Sequence, residues 1–170
     1  LVKKAFNFDV LAQISEFLDA MSGSDLKSIE ENKQYQIALE LHHEERLSDA
    51  ETAYRTILSS NPNHSGALHH LGVIAAKCGQ TMAALDLIER AVANDPSDAD
   101  ALNSLGMLYQ SDQKLEIAIK KFNSATEAAP KFIDAWVNLG AANLESGELE
   151  KADWACKQAL DIDPHSERAL

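Results

Sequence analysis

The chain has 170 residues, 45% of them apolar, and a formal charge of −12 from 27 acidic and 15 basic side chains. It carries enough apolar residues for the core of one ordinary domain. Its acidity disfavours nucleic acid and anionic membrane surfaces as partners, because both select basic faces, and favours a basic or apolar protein or peptide.

Residues 1–24 come first. Phe6, Val10, Ile14, Phe17, Leu18 and Met21 recur at helical spacing, Phe8 and Leu11 widen that face, and Asp9, Gln13, Glu16 and Asp19 take polar positions. This pattern predicts an amphipathic helix. Charge interrupts it, so it does not read as a signal peptide. Three roles stay open for the Phe6–Met21 stretch. It can cap the next helices of the chain, dock into a groove of its own chain or of a neighbour or pair helix to helix to give a homo-oligomer, or lie on a membrane, against which its low positive charge counts. Gly23-Ser24-Asp25 reads as a linker, and Ser28 with Glu31 as a capping box for the next helix.

From Glu31 the chain repeats with a period of 34, in units at 31–64, 65–98, 99–132 and 133–166. Leu71, Leu105 and Leu139 align, as do Gly72, Gly106 and Gly140, Ala84, Ala118 and Ala152, and Ala91, Ala125 and Ala159. All four prolines, Pro62, Pro96, Pro130 and Pro164, fall in one column. Each unit shows two helical stripes; in the second they are Leu68, Leu71 and Ala75, then Met82, Leu85, Ile88 and Val92. Gly79 and Gly147 lie between stripes, where the third unit has the glycine-free Ser111-Asp112-Gln113. Proline marks each boundary because it cannot continue a helix interior. Asp98, Asp134 and Ser166 stand where short polar side chains cap a following helix. Small residues such as Gly72 and Ala84 let paired helices approach closely. The first unit is atypical, with Gln34 and Ala38 in place of larger residues or glycine, as terminal repeats often are. Glu167-Arg168-Ala169-Leu170 reads as the first turn of a further helix. With an initial Leu in place of Met, it suggests a fragment of a longer protein; a short frayed tail is the alternative. The end of the fourth unit, with Cys156, Ala159 and Leu160, would then want another unit, a partner or a second copy against it.

Leu102, Leu105, Gly106, Tyr109, Ala118, Phe122, Ala125 and Pro130, with Trp136, Leu139, Gly140, Ala152 and Pro164, resemble the signature of the tetratricopeptide repeat. Asn143 and Cys156 depart from it. The resemblance covers Glu31 to Ser166 and implies an all-α, right-handed solenoid of four helix–turn–helix repeats. It also implies that one stripe of each first helix lines a concave groove that contacts peptides or helices. Those positions are Tyr35, Gln36, Leu39 and His42 in the first unit and His69, His70, Val73 and Ala76 in the second. They continue as Asp100, Asn103, Ser104, Met107 and Gln110, then Asp134, Val137, Asn138 and Ala141. Amides there suit a peptide backbone, and apolar positions suit side-chain anchors. Some members of the family clamp a C-terminal carboxylate with basic residues. The corresponding sets here, Tyr35, Leu39, His70, Asp100 and Ser104, or His69, Val73, Ser104, Asp134 and Asn138, hold no lysine or arginine, so that mode is not expected.

No enzyme signature stands out. The chain lacks a P-loop and a second histidine after His43-Glu44. His42-His43 and His69-His70 invite a metal site, but neighbours on a helix diverge by about 100° and the pairs are offset by about 10 Å, so they read as exposed groove residues and no metal or cofactor is expected. Glu145, Glu148, Glu150 and Asp153 give the fourth unit a charge of −5, which reads as a solvated face. Cys78 and Cys156 stand too far apart in a solenoid to pair, which suits a reducing, cytoplasmic setting. Asn63-His64-Ser65 matches a glycosylation sequon, read as chance in such a chain. The reading is a non-catalytic protein-interaction module. Its rivals are the substrate-selecting arm of a larger enzyme, such as a bacterial glycosyltransferase, sulfotransferase or methyltransferase, and a scaffold that self-assembles through its N-terminal helix.

Overall fold

A computed structural model describes residues 23–168. The predicted helix at Phe6–Met21 and the last two residues lie outside the described residues. Among the described residues there are eight helices: α1 (Gly23–His43), α2 (Leu47–Ser60), α3 (Ser65–Lys77), α4 (Thr81–Asn94), α5 (Ala99–Ser111), α6 (Leu115–Ala128), α7 (Ile133–Glu145) and α8 (Leu149–Ile162). They pack as four antiparallel pairs, and each pair rests on the next. First helices of successive pairs also touch, α3 with α5 and α5 with α7, whereas successive second helices make no comparable contact. The stack therefore curves with its first helices on the inner side.

The aligned small residues are where paired helices meet. A Cβ on Gly72 would lie 2.5 Å from Ile88 Cγ1, and one on Gly106 would lie 2.5 Å from Phe122 Cε1. At Gly140 the facing atom is the smaller Cys156 Sγ, at 2.9 Å. Gly106→Ala should therefore cost about 1–3 kcal/mol, because the Phe122 ring is enclosed and cannot step aside. Gly140→Ala should cost less, and paired urea titrations of the two variants give the order.

Each first helix ends in the same way. Gln80 N–H donates to Ala75 O and Gly79 N–H to Ala76 O, both at 2.9 Å, a Schellman closure around a left-handed residue. Gly147 closes α7 likewise, but Glu45 and Gln113 hold the same positive φ of 58° without being glycine. The closure, not the glycine, is what every repeat keeps. At the starts of helices, Asp98 Oδ1 accepts from Ala101 N–H at 3.0 Å and His64 Nδ1 from Ala67 N–H at 3.1 Å.

Four local expectations need correction. Gly23-Ser24-Asp25 is helical, part of α1, so no linker interrupts the chain there, and Ser28 sits inside the helix instead of capping it. Asp134 lies in the first turn of α7 and Phe132 holds the cap position without a side-chain bond. Met82 is 81% exposed: it falls in the first turn of α4, beyond the reach of the neighbouring helix, and Ala84, Ile88 and Ala91 form the buried face.

The leading edge of the stack differs from its interior. Leu71, Leu105 and Leu139 are 7%, 1% and 1% exposed, yet Ile37, one period earlier, is 47% exposed. Each later first helix lies against the second helix of the pair before it; α1 has no such neighbour among the described residues. At the other end Trp136 donates from Nε1 to Pro130 O at 2.9 Å and meets the half-exposed Trp154 edge to face, their centroids 5.1 Å apart. Cys78 and Cys156 are free thiols. No helix among the described residues is long and apolar enough to cross a membrane.

Candidate partner-binding groove

The inner face is knit by a ladder between neighbouring first helices. His69 Nε2 and Ser104 Oγ share a hydrogen bond of 2.9 Å, Asn138 Nδ2 donates to Asn103 Oδ1 at 2.9 Å, and Gln110 Nε2 donates to Glu145 Oε2 at 2.9 Å. Each rung joins residues 35 apart, one more than the sequence period, because neighbouring first helices pack with a slip of one residue. The rung residues His69 and Asn103 are buried, and among the described residues no fully buried side-chain polar atom lacks a hydrogen-bond partner.

Beside the ladder lies an aromatic cluster built by α1, α2 and α3. The His70 ring stacks on Tyr54 at 5.6 Å with an interplanar angle of 18°, stands edge-on to His42 at 5.6 Å, and reaches Tyr35 at 6.1 Å. Gly66 leaves room for the Tyr35 hydroxyl, which the Cβ of any other residue would meet. Burial pushes the Tyr35 phenol up to about 12, helped by Asp98 and Asp100. Burial holds the His70 imidazole down at about 4, and His69, His42 and His43 add to the effect. His42 and His69 are depressed too, chiefly by burial.

The expectation of exposed groove histidines is corrected for three of the four: His69 is only 6% exposed, and His42 and His70 are half-buried, whereas His43 is exposed. The expected separation of the two histidine pairs also fails. Counting repeat positions treated neighbouring helices as level and ignored the reach of the side chains that bring His42 and His70 together. Among the described residues no group of three or more His, Cys, Asp or Glu could hold a metal ion.

Two recesses adjoin on this face. The larger, of about 510 Å³, brings together Leu39, His42, His69, His70, Val73, Asp100, Asn103, Ser104 and Asp134 from the expected set. His43, Glu45, Lys77 and Phe132 also line it, which the stripe rule missed because they stand at helix ends and in turns. The smaller, of about 370 Å³, is mainly apolar, formed by Val73, Ala76, Ile88, Met107 and Leu108 with Lys77 and Ser104 at its border. Tyr35 sits in the aromatic cluster, Gln110 and Asn138 are engaged in the ladder, and Val137 is buried. Gln36 and Ala141 are exposed and line neither recess. Arg168 was also missed. Its guanidinium pairs with Asp134 and donates to Asn138 Oδ1 at 3.1 Å. The signal for it was its place in the column of Asp100 and Asp134.

These helix pairs, with their glycine contacts and Schellman turns, define an α-solenoid of helix–turn–helix repeats. The tetratricopeptide repeat model matches residues 35–99, 75–131 and 103–167, so the chain belongs to the tetratricopeptide repeat family, whose repeats serve as protein-interaction modules. It is 25% identical over 117 residues to the BBSome complex member bbs-4 of Caenorhabditis elegans, covering 69% of this chain and 25% of that one. Over 132 residues it is 29% identical to the probable UDP-N-acetylglucosamine–peptide N-acetylglucosaminyltransferase SPINDLY of Hordeum vulgare, covering 74% of this chain and 14% of that one. The chain thus spans a quarter or less of either relative. Among solved structures it resembles MamA of Desulfovibrio magneticus RS-1, with a TM-score of 0.67, 26% identity, and coverage of 81% of this chain and 77% of that one.

Proposed function

We propose that this chain recognises a segment of a partner protein on its inner face, across α1, α3, α5 and α7, and performs no catalysis itself. The adjoining recesses carry the reading. One mixes imidazoles, carboxylates and the Asn103 amide with Leu39, Val73 and Phe132; the other is mainly apolar, with the half-exposed Met107 at its rim. Such a pair suits a segment that spends backbone hydrogen bonds in one and a side-chain anchor in the other. The ladder bonds keep the groove formed beforehand, so the partner carries most of the ordering cost. Panning a displayed dodecapeptide library on the whole chain provides binders, and Met107→Glu, at an exposed site that tolerates charge, should weaken them about tenfold or more by titration. Binders indifferent to Met107→Glu would contradict the reading.

The half-exposed Ile37 favours a second role, for residues 6–21: covering the leading edge of α1. A recess of about 150 Å³ formed by Gln34, Ile37, Ala53 and Thr56 lies on that edge. Removing residues 1–24 should leave a monomer that is less stable or poorly soluble. A fall in native mass from dimer to monomer would instead support assembly through that segment. The likeness to SPINDLY supports a substrate-selecting arm; on that reading, groove variants of the parent enzyme change which proteins it modifies.

A further inference from the structure

The last interval of the inner face shows how a guanidinium is held there. Arg168 pairs with the Asp134 carboxylate while also donating to the Asn138 side-chain oxygen. One period earlier, Asp100 and Ser104 occupy the positions of Asp134 and Asn138, and both line the larger recess. The position equivalent to Arg168 is there taken by Asp134, so Asp100 faces a second carboxylate where the next interval has an ion pair, and Glu45 lines the recess as a third. Asp100 has no ion-pair partner among the described residues; Asp134 is held by Arg168, and Lys77, the lysine that lines the recess, forms no ion pair with either carboxylate.

We infer that the recess takes an arginine side chain of the partner between Asp100 and Asp134, with an aliphatic side chain of the same segment in the apolar hollow at Met107. This rests on the groove reading above. A guanidinium fits better than an ammonium because its planar fork can reach a carboxylate and a neighbouring side-chain oxygen together, as Arg168 does. The wall behind is His69 and His70, whose rings burial keeps neutral, so they offer ring faces and no opposing charge. Lys77 ends α3, eight residues beyond His69, and lines both recesses, so it borders the join between them. It meets a different part of the segment.

The test uses the whole chain and the same dodecapeptide library. Selected peptides should be enriched in arginine close to Leu, Ile or Met. Asp100→Asn with Asp134→Asn should weaken a selected peptide about tenfold or more and flatten its salt dependence. Glu127→Gln with Glu150→Gln, an equal change of charge at exposed positions away from the recess, should not. Arg168→Ala should tighten binding by freeing Asp134, and changing the peptide's arginine to lysine should weaken it several-fold. Circular dichroism checks that each variant folds. Peptides without basic residues, or peptides lost with Lys77→Ala and not with the aspartate pair, would overturn this inference and leave the groove standing. Equal losses in both charge pairs would mean that bulk acidity alone attracts the peptide, and would overturn it too. A library without any binder sensitive to Met107→Glu would remove the groove and this inference with it.

Discussion

Phe122→Ala should lower the free energy of unfolding by about 3–5 kcal/mol, the largest effect expected of a single truncation in this chain. Phe122 is fully enclosed on α6 and belongs to one cluster with Trp136, Leu139, Ala155 and Ala159. Its ring also fills the space left by Gly106 on α5. Truncation removes the contact that closes the third helix pair and the one that seats the fourth on it. The cavity cannot collapse readily, because part of its lining, at Gly106, Ala118, Ala155 and Ala159, has no side chain able to swing into it. A solenoid is held by neighbour contacts, so the loss should be uneven along the chain. Hydrogen exchange should quicken in α5–α8 while α1–α4 keep most of their protection. Ile117→Ala, at an exposed position on the same helix, should change stability little. A loss under about 1 kcal/mol for Phe122→Ala would contradict the assigned core.

Acid should loosen the leading half of the stack through His70. This imidazole is held at about 4, well below its ordinary value of 6.5, by burial against Tyr54 and by His69, His42 and His43 nearby. Its other aromatic neighbour, Tyr35, is a neutral phenol throughout the acid range. A base with a depressed folded pKa is protonated first in the unfolded chain. Its contribution is therefore complete above about pH 6.5 and is lost as pH falls towards about 4. The shift corresponds to at most about 3 kcal/mol, and nearer 1–2 kcal/mol once solvent at the open edge of the ring is allowed for. His70→Phe keeps the stacked ring and removes the titration. Urea midpoints for the two proteins at about pH 7.5 and about pH 4.5 give the difference directly, since carboxylate titrations are common to both and largely cancel. Wild type should lose more stability than His70→Phe over that interval. Equal losses would mean that His70 is solvated.

The contacts within a repeat are legible in the sequence, and the reasons are specific. Gly72, Gly106 and Gly140 recur because a helix pair closes on them, and Ala84, Ala118 and Ala152 recur on the facing helix. A fixed period records such contacts because the same two helices make them each time. Contacts between repeats are not legible in that way. The rungs from His69 to Ser104, Asn103 to Asn138 and Gln110 to Glu145 follow a separation of 35, set by how first helices settle on one another and not by the period. The histidines expected to be exposed are covered in the same way by contacts between elements: His70 packs on Tyr54 and His42, and His69 bonds Ser104. Helix ends are the other blind region: Lys77, His43 and Phe132 enter the groove from positions outside any stripe, and Arg168 enters from a turn.

The most direct test of the central claim is a map of amide and methyl chemical shifts on the labelled whole chain as a selected peptide is titrated in. Recognition on the inner face predicts that the largest changes fall on Val73, Ser104 and Met107, with α4, α6 and α8 little affected. Changes centred on Met82, Ile117 and Trp154, on the second helices, would place the binding surface on the opposite side and contradict the account.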